Sequence, residues 1–410
     1  MSIRQTTLPN GLRIITEHRA HVETVAVGVW VNAGSRGENV KLNGITHFLE
    51  HMVFKGTDRR NARQIATEIE TVGGHLNAYT TRDYTTFYAR VLKDDVALAI
   101  DLLADILLNS KFEDKEIVRE QEVVIQEIGQ AFDTPDDIIF DHLQEISFKD
   151  QALGRPILGS TANVNSFSRD MLQEYISTQY KAGSMVVAAA GNLDHDTIVA
   201  EVERGFGSVQ PGKAPLVDAA EFIGGTIREH RDLEQVHVTL GLPGCSFYND
   251  DYYAMQVYSM LLGGGMSSRL FQEVRENRGL AYSVYSFANS HIDTGLFGIY
   301  AGTAPEMVNE MLDVISGEMK SLTSTITMEE LQIAKAQLKA GLLMALEGTS
   351  SRIEQMARQL LVFDRTISSE EMITNIESVN IDGVHAMASN MYGSKLKSSV
   401  FVGDLQKLQL

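Results

Sequence analysis

Apolar and polar positions alternate along several short stretches in the first half of the chain. The alternation is longest over residues 24–31, where a two-residue period predicts a strand. Within 8–12, Asn10-Gly11 predicts a tight turn between two short strands, because Asn-Gly tolerates the positive φ angles of such turns. The segments 75–81 and 84–91 predict a hairpin, and the apolar segment 185–191 predicts a buried strand.

Apolar residues spaced three to four apart predict helices between these strands. In the first half the predicted helices lie at 44–55, 62–72, 94–109, 114–132, 135–147 and 168–179. The helix at 62–72 should end at Gly73-Gly74, since glycine readily adopts the left-handed conformation that follows a helix. In the second half they lie at 305–321, 327–346, 350–364 and 369–378.

The second half of the chain repeats the plan of the first. Residues 236–242 match the strand at 24–31 with an offset of 211 residues, and 269–280 match 64–75 with an offset of 205. The strand at 398–403 likewise echoes the one at 185–191. These matches indicate a duplicated α+β unit. The predicted domains are 1–204 and 226–410, joined by a linker at 205–225 where glycine and proline interrupt the periodicity.

Composition narrows the possible functions. The chain has 410 residues, 44% of them hydrophobic and 22% charged, which is typical of a globular protein of two or more domains. A net charge of −19 argues against nucleic acid as a partner. Cys245 is the only cysteine, so the chain offers neither an internal disulfide nor a cysteine-based metal site. No signal peptide or long apolar run is seen, and we expect a soluble, cytoplasmic protein without a membrane partner.

The predicted helix at 44–55 contains His47-Phe48-Leu49-Glu50-His51. Residues four apart share a helix face, so His47 and His51 could both ligate one Zn²⁺ ion. Glu50 could then reach a water at that ion, as in the H-x-x-E-H order of zinc peptidases. The alternative is an amphipathic helix with ordinary polar histidines. An adjacent apolar stripe favours the zinc interpretation, because it would bury the helix and shelter the polar cluster.

Two histidines leave a catalytic zinc one protein ligand short. The acidic helix at 114–132 offers Glu120, Glu122 and Glu127. Glu120 and Glu127 are seven residues apart and share a face, so one could ligate the metal while the other supports a histidine. The spacing alone is equally compatible with a solvated acidic face. In the second repeat, residues 258–265 replace the metal helix and offer no such ligands.

The stretch 8–11, the H-x-x-E-H helix, the stretch 76–80 and the acidic helix together resemble the M16 (pitrilysin) family of zinc peptidases. Within that family the chain is most similar to the mitochondrial processing peptidase β subunit and its bacterial relatives, over nearly its whole length. The resemblance implies two similar α+β domains, each an antiparallel sheet with helices packed on one face, enclosing a chamber. It also implies a homodimer, or a heterodimer with a related M16 subunit.

The resemblance also assigns roles to residues of the predicted metal site. His47, His51 and Glu127 correspond to the three ligands of one Zn²⁺ per chain, and Glu127 lies 76 residues after His51. Glu50 corresponds to the general base of the family. Glu120, seven residues before Glu127, corresponds to its second essential glutamate.

Two residues of the second half match a family pair that reaches the catalytic chamber, Arg275 and Tyr282. A guanidinium and a phenol are suitable donors for a peptide carbonyl and its developing oxyanion. The alternative for this pair is a surface arginine and a core tyrosine. The short glycine run at 263–265 stands where the partner α subunit has a longer glycine-rich loop, and its length favours the catalytic type of subunit.

The resemblance implies two regions that contact substrate. Leu76, Asn77 and Ala78 correspond to the family's edge strand, to which an extended peptide adds through its backbone. Asp137 and Asp141 match two acidic positions that receive a substrate arginine two residues before the cut, and a guanidinium fits between two carboxylates. The alternative for these aspartates is capping and solvation of the first helical turn.

The predicted function is a zinc metalloendopeptidase that cleaves unfolded or presequence-like basic peptides, with Glu50 as general base. One alternative keeps this chemistry but degrades oligopeptides generally. The other is a non-catalytic scaffold subunit, which the complete set of ligands disfavours.

Overall fold

Eleven strands form two sheets within residues 3–406, the part of the chain that the computed structural model describes. The first sheet contains β1 (Ile3–Thr7), β2 (Arg13–His18), β3 (Thr24–Val31), β4 (His75–Thr80), β5 (Thr85–Leu92) and β6 (Met185–Gly191). Its strand order is β1-β2-β6-β3-β5-β4. All neighbours are antiparallel except β2 and β6. Because β4 is the last strand in this order, it lies at an edge of the sheet.

The second sheet contains β7 (Gly225–His230), β8 (Val236–Pro243), β9 (Ala281–Ser290), β10 (Gly295–Thr303) and β11 (Ser398–Gly403). Its order is β7-β11-β8-β10-β9, and only β7 and β11 are parallel. Replacing β2 to β6 by β7 to β11 in the first sheet reproduces both the order and the strand directions of the second. The predicted duplication is thus confirmed in the backbone pairing, and β1 is an addition to the first copy.

Fourteen α-helices surround these sheets in the described chain. Those of the first half are α1 (Ile45–Met52), α2 (Ala62–Thr71), α3 (Val96–Leu108), α4 (Asp114–Asp133), α5 (Pro135–Ser147), α6 (Thr161–Val164), α7 (Arg169–Gln179) and α8 (His195–Phe206). Those of the second half are α9 (Tyr252–Gly263), α10 (Val308–Ser321), α11 (Met328–Ala345), α12 (Thr349–Phe363), α13 (Ser369–Ser378) and α14 (Ile381–Gly393). A π-helical turn at Phe271–Glu276 takes the place that α2 has in the first copy.

The chain divides into two compact units, each assembled from separate stretches. The first unit contains the residues up to Gly129, Pro156–Asp218 and Met344–Thr366; the second contains Gln130–Arg155, Ala219–Leu343 and the residues from Ile367 onwards. Each half thus lends one helix to the other unit, namely α5 to the second and α12 to the first. The predicted linker at 205–225, which divides the two sequence repeats, stays a prediction. None of the residues 207–224 lies in a helix or strand.

The two faces of β3 pack against different helices. Val25, Val27, Val29 and Val31 point into the main core with α1 and α3, as a two-residue period requires. Ala26 and Trp30 point to the opposite face, where they pack against Met356 and Leu360 of α12. The second sheet is covered in the same manner, since Leu143 of α5 packs against Val400 and Val402 of β11. Both faces of each sheet are therefore covered by helices.

Most predicted elements match the structure closely, and the strand at 24–31 and the helix at 135–147 match to the residue. The helix predicted at 44–55 ends earlier, because Val53–Lys55 tightens into a 3₁₀ turn. Several elements lacked an explicit prediction, among them β7, β9, β10, α6, α8 and α14. Among residues 3–406, no helix combines the length and the apolar character that crossing a membrane would need.

Candidate metal centre

The helix α1 follows a glycine, and the side chain of Glu38 caps its N-terminus. Gly44 has a left-handed backbone (φ 99°), and a Cβ there would lie 2.7 Å from a backbone oxygen. Glu38 accepts hydrogen bonds from the backbone N–H groups of Gly44 and Thr46, each at 2.8 Å, and from Asn43 at 3.0 Å. Burial raises the pKa of Glu38 to about 7, although these hydrogen bonds oppose the rise. The start of α1 is therefore fixed by a buried carboxyl group.

His47 and His51 of α1 meet Glu127 of α4 in the first unit, and one ligand atom from each lies within 4.8 Å of the others. Nε2 of His47 lies 3.6 Å from Glu127 Oε1, and Nε2 of His51 lies 3.5 Å from Glu127 Oε2. Tetrahedral zinc with bonds of about 2.0–2.2 Å separates its ligand atoms by roughly 3.3–3.6 Å. The spacing and the donor set of two imidazoles and one carboxylate therefore fit zinc.

His51 is oriented by a hydrogen bond from its second nitrogen. Its Nδ1 donates to Glu120 Oε1 at 2.8 Å, and the other oxygen of Glu120 lies 2.5 Å from Lys55 Nζ. Burial alone would raise the pKa of Glu120, but the hydrogen bonds from His51 and Lys55 lower it. Burial disfavours the charged form of His51, but the hydrogen bond to Glu120 and the charge of that residue raise its pKa. This contact leaves Nε2 facing Glu127.

His47 lies deeper and is electrostatically different from His51. Its side chain is buried, and this burial, together with the positive charge of neighbouring His51, lowers its pKa to about 3. Its Nδ1 is buried and has no hydrogen-bond partner within residues 3–406. His47 is thus held in the neutral form, which is the form of histidine that ligates a metal.

Glu50 is held by the edge strand. Thr80, the last residue of β4, donates from its hydroxyl to Glu50 Oε2 at 2.6 Å. Burial raises the pKa of Glu50, and the hydrogen bond from Thr80 opposes that rise. The carboxylate of Glu50 therefore lies beside the ligands on the same helix but is bound to a different element.

The predicted substrate strand is β4 itself, which among the described residues pairs with a strand on one side only, β5. Leu76 and Ala78 pack against the main core, while Asn77 points away from it and is exposed. The side chain of Asn77 accepts a hydrogen bond from the backbone N–H of Ala78 at 2.9 Å. The edge strand β4 therefore also contains Thr80, the hydrogen-bond partner of Glu50.

Arg275 and Tyr282 lie together in the second unit. The guanidinium of Arg275, in the π-helical turn, stacks 4.4 Å from the ring of Tyr282 and 4.7 Å from the ring of Phe271. Tyr282 is 74% exposed, so it is not a core tyrosine. The structure thus brings the two predicted residues into contact with each other.

Asp137 and Asp141 lie one turn apart on α5, also in the second unit. Asp137 stands in the first turn of the helix and is exposed, whereas Asp141 is partly buried. An acidic residue in a first turn also stabilises the helix dipole, so their recognition role stays a prediction.

Sequence reasoning missed three groups that position the site: Glu38, Lys55 and Thr80. Each acts through a partner on another turn or element, and for Glu38 and Lys55 the residue type and spacing gave no signal. For Thr80 the available signal was its place at the end of a predicted edge strand that also contains Asn77 and Ala78.

The chain is similar to known proteins over nearly its whole length. The family model described as Insulinase (Peptidase family M16) matches residues 13–161, and the one described as Peptidase M16 inactive domain matches 166–338. An uncharacterized zinc protease of Rickettsia felis is 39% identical over 394 residues, which are 96% of each chain. A probable mitochondrial-processing peptidase subunit beta of Arabidopsis thaliana is 40% identical over an alignment of 420 positions, which covers 99% of this chain and 79% of that protein.

The fold is also shared with a solved structure. The crystal structure of a protease from Helicobacter pylori superposes with a TM-score of 0.90 over 98% of this chain and 99% of that one, at 21% identity. Because two successive family models cover most of the sequence and relatives near 40% identity match its whole length, this chain belongs to peptidase family M16, a family of zinc proteases.

Proposed function

We propose that the chain is a zinc metalloendopeptidase that holds one Zn²⁺ through His47, His51 and Glu127 and uses Glu50 as general base. The observation that carries this proposal is the cluster itself. Two imidazole nitrogens and a carboxylate converge at separations that suit zinc, and a half-buried carboxylate stands on the same helix without joining the cluster.

When bound, zinc would polarise the scissile carbonyl and acidify a water molecule. The protein residues supply the remaining steps. Glu120 fixes the orientation of His51 through Nδ1, and burial keeps His47 neutral. Glu50 accepts the proton of the attacking water on its free oxygen and returns it to the leaving amine. Burial raises the pKa of Glu50, which makes its protonated form more accessible at this second step.

The substrate is an extended peptide that adds to the free edge of β4 along Leu76, Asn77 and Ala78. An edge strand binds the backbone of any extended peptide, so it requires substrates or segments that are unfolded. Arg275 and Tyr282 donate to a peptide carbonyl in this proposal, and their contact keeps both donors together.

Selectivity for basic, presequence-like peptides is the finer part of the proposal. Asp137 and Asp141 receive an arginine shortly before the cut, and the net charge of −19 attracts basic peptides over a longer range. The name of the Arabidopsis relative, a probable mitochondrial-processing peptidase subunit, supports this choice over general oligopeptide degradation. The same relative supports pairing, either as a homodimer or with a related M16 subunit.

The test uses the purified chain of 410 residues. We expect zinc near one equivalent per chain by elemental analysis, and cleavage of a basic presequence-like peptide that a chelator abolishes and added Zn²⁺ restores. Glu50→Gln should retain the metal and lose about 10²–10⁴-fold in kcat. Wild-type kcat in Glu50→Gln would refute the assigned base. An intact chain that binds zinc but cleaves no peptide, alone or with a related subunit, would favour a scaffold.

A further inference from the structure

One hydrogen bond joins the metal-site helix to the edge strand. Thr80 Oγ1 donates to Glu50 Oε2 at 2.6 Å, a distance typical of a hydroxyl that donates to a carboxylate. Within residues 3–406, no other residue hydrogen-bonds to this carboxylate. The hydrogen bonding of Glu50 therefore depends on one residue, Thr80, which lies 30 positions away in the sequence.

The backbone around Thr80 makes this donor a rigid one. Thr80 pairs with Thr85 of β5, and the hydroxyl of Thr85 is buried and donates to the backbone oxygen of Ala33 at 2.8 Å. The alternation along β4 places Thr80 on the same face as Ala78, which packs against the main core. Tyr79 points the other way, toward the rings of Tyr84 and Tyr88. Thr80 has little freedom to turn away from α1.

The hydroxyl bond from Thr80 to one oxygen of Glu50 has a specific chemical consequence. A glutamate side chain has three rotatable bonds, and an unheld carboxylate would sample several orientations. The nearby charges of His51 and Glu127 act on Glu50 in opposite senses. With Oε2 bound by Thr80, Oε1 is the oxygen left to accept a proton.

We propose that Thr80 is a positioning residue for the general base, holding one carboxylate oxygen of Glu50 so that the other faces the reacting water. This inference rests on the proposed function, because it concerns how Glu50 performs that role. It adds that the edge strand has two tasks. The strand β4 offers its backbone to the peptide and ends in Thr80, whose hydroxyl orients Glu50. The same rigid strand would therefore position both the substrate and the base.

The test compares Thr80→Val with Thr80→Ser. Valine keeps the shape but removes the donor, whereas serine keeps the donor. We expect Thr80→Val to lower kcat about 10- to 100-fold while KM changes less than about twofold, since the lost bond supports the reacting group rather than peptide binding. Thr80→Ser should recover most of kcat. Zinc content and thermal unfolding temperature should equal those of the wild type in both variants.

Thr71→Val is the matched control, because Thr71 is an exposed threonine of α2 whose hydroxyl bonds only within its own helix. It should keep wild-type kinetics. If Thr80→Val fails to fold, Thr80→Ala and Thr80→Ser form the comparison, and equal kcat in these two would overturn the inference. Wild-type kcat in Thr80→Val would do the same.

The outcome also separates this inference from the proposed function. Loss of activity in Glu50→Gln with full activity in Thr80→Val refutes only the role of Thr80. Full activity in Glu50→Gln refutes the assignment of the base, and the role of Thr80 fails with it.

Discussion

The imidazole of His51 and the carboxylate of Glu120 are joined by a 2.8 Å hydrogen bond between Nδ1 and Oε1, although the two residues are 69 positions apart. The bond settles which nitrogen of His51 faces Glu127, because a carboxylate can only accept and Nδ1 must therefore carry the proton. Lys55 holds the second oxygen of Glu120 and keeps that carboxylate ionised. Glu120 thus supports the cluster without belonging to it.

We expect Glu120→Gln to weaken zinc binding about 10- to 100-fold, because an amide is a poorer acceptor for His51 and a poorer partner for Lys55. Competition with a chromophoric chelator measures this affinity directly. Glu122→Gln, an exposed change two residues away on the same helix, is the control. Equal affinities in the two variants would contradict the supporting role.

Removal of a metal ligand should reduce zinc binding more than Glu120→Gln does. His47→Ala, His51→Ala and Glu127→Gln should each lower zinc content and activity together, since each removes one of three converging atoms. His75→Ala changes a histidine on β4 that lies outside the cluster, and it should retain both. A ligand variant that kept zinc at one equivalent would remove that residue from the proposed set.

The second unit is tested through Arg275 and Tyr282. If they contact the carbonyl mainly in the transition state, Arg275→Ala and Tyr282→Phe should each lower kcat by about 10²–10³-fold with zinc content unchanged. Arg278→Ala is the control, because Arg278 lies on the same segment and pairs with Glu273 and Glu310. Wild-type kinetics in both test variants would exclude this pair from the mechanism.

The parts of the site that sequence could predict are those that lie close together on one element. The helical period predicted that His47 and His51 share a face, and resemblance to a family supplied Glu127. Thr80, Lys55 and Glu38 were out of reach, since their roles arise only when separate elements pack. A threonine at the end of a strand has no periodicity that marks it as the partner of a base.

The same limit applies to the fold. Alternation and helical spacing predicted β3 and α5 to the residue, because both signals are local. The exchange of α5 and α12 between the two units depends on which sheet face each helix covers, and an amphipathic pattern does not name its partner. The helix α14 has small and polar residues between its buried positions, which weakened the pattern.

The stability of the first unit should depend on pH through Glu38. Its pKa is about 7 in the folded chain against about 4.5 for an ordinary glutamate, so the folded state binds the proton more tightly. The contribution of Glu38 is full below pH 4.5 and is lost as pH rises through 7. Relative to Glu38→Gln, the wild type should lose up to about 3 kcal/mol of unfolding free energy across this range.

Urea unfolding at several pH values tests this, followed by the fluorescence of Trp30. Trp30 is the only tryptophan of the chain, and it is buried in the first unit. A difference between wild type and Glu38→Gln that stayed constant from pH 4.5 to pH 8 would show that Glu38 does not titrate there.

The last prediction concerns what the enzyme selects. Asp137 and Asp141 lie one turn apart on α5, so a single guanidinium could bridge both, whereas a lysine could not reproduce that planar contact. We expect peptides with arginine shortly before the cut to be preferred over alanine and lysine, with a preference that weakens as salt rises. Asp137→Asn combined with Asp141→Asn should remove the preference and leave cleavage of the alanine peptide about unchanged.

The matched control combines Asp136→Asn with Glu145→Gln, which removes the same charge from exposed positions of the same helix. This control separates a pocket from general attraction, because both double variants reduce the negative charge of α5 equally. If the two double variants weaken arginine selection to the same degree, the selection comes from the acidic surface as a whole. If the wild type shows no arginine preference, the chain degrades oligopeptides without regard to basic residues, and the processing role is wrong.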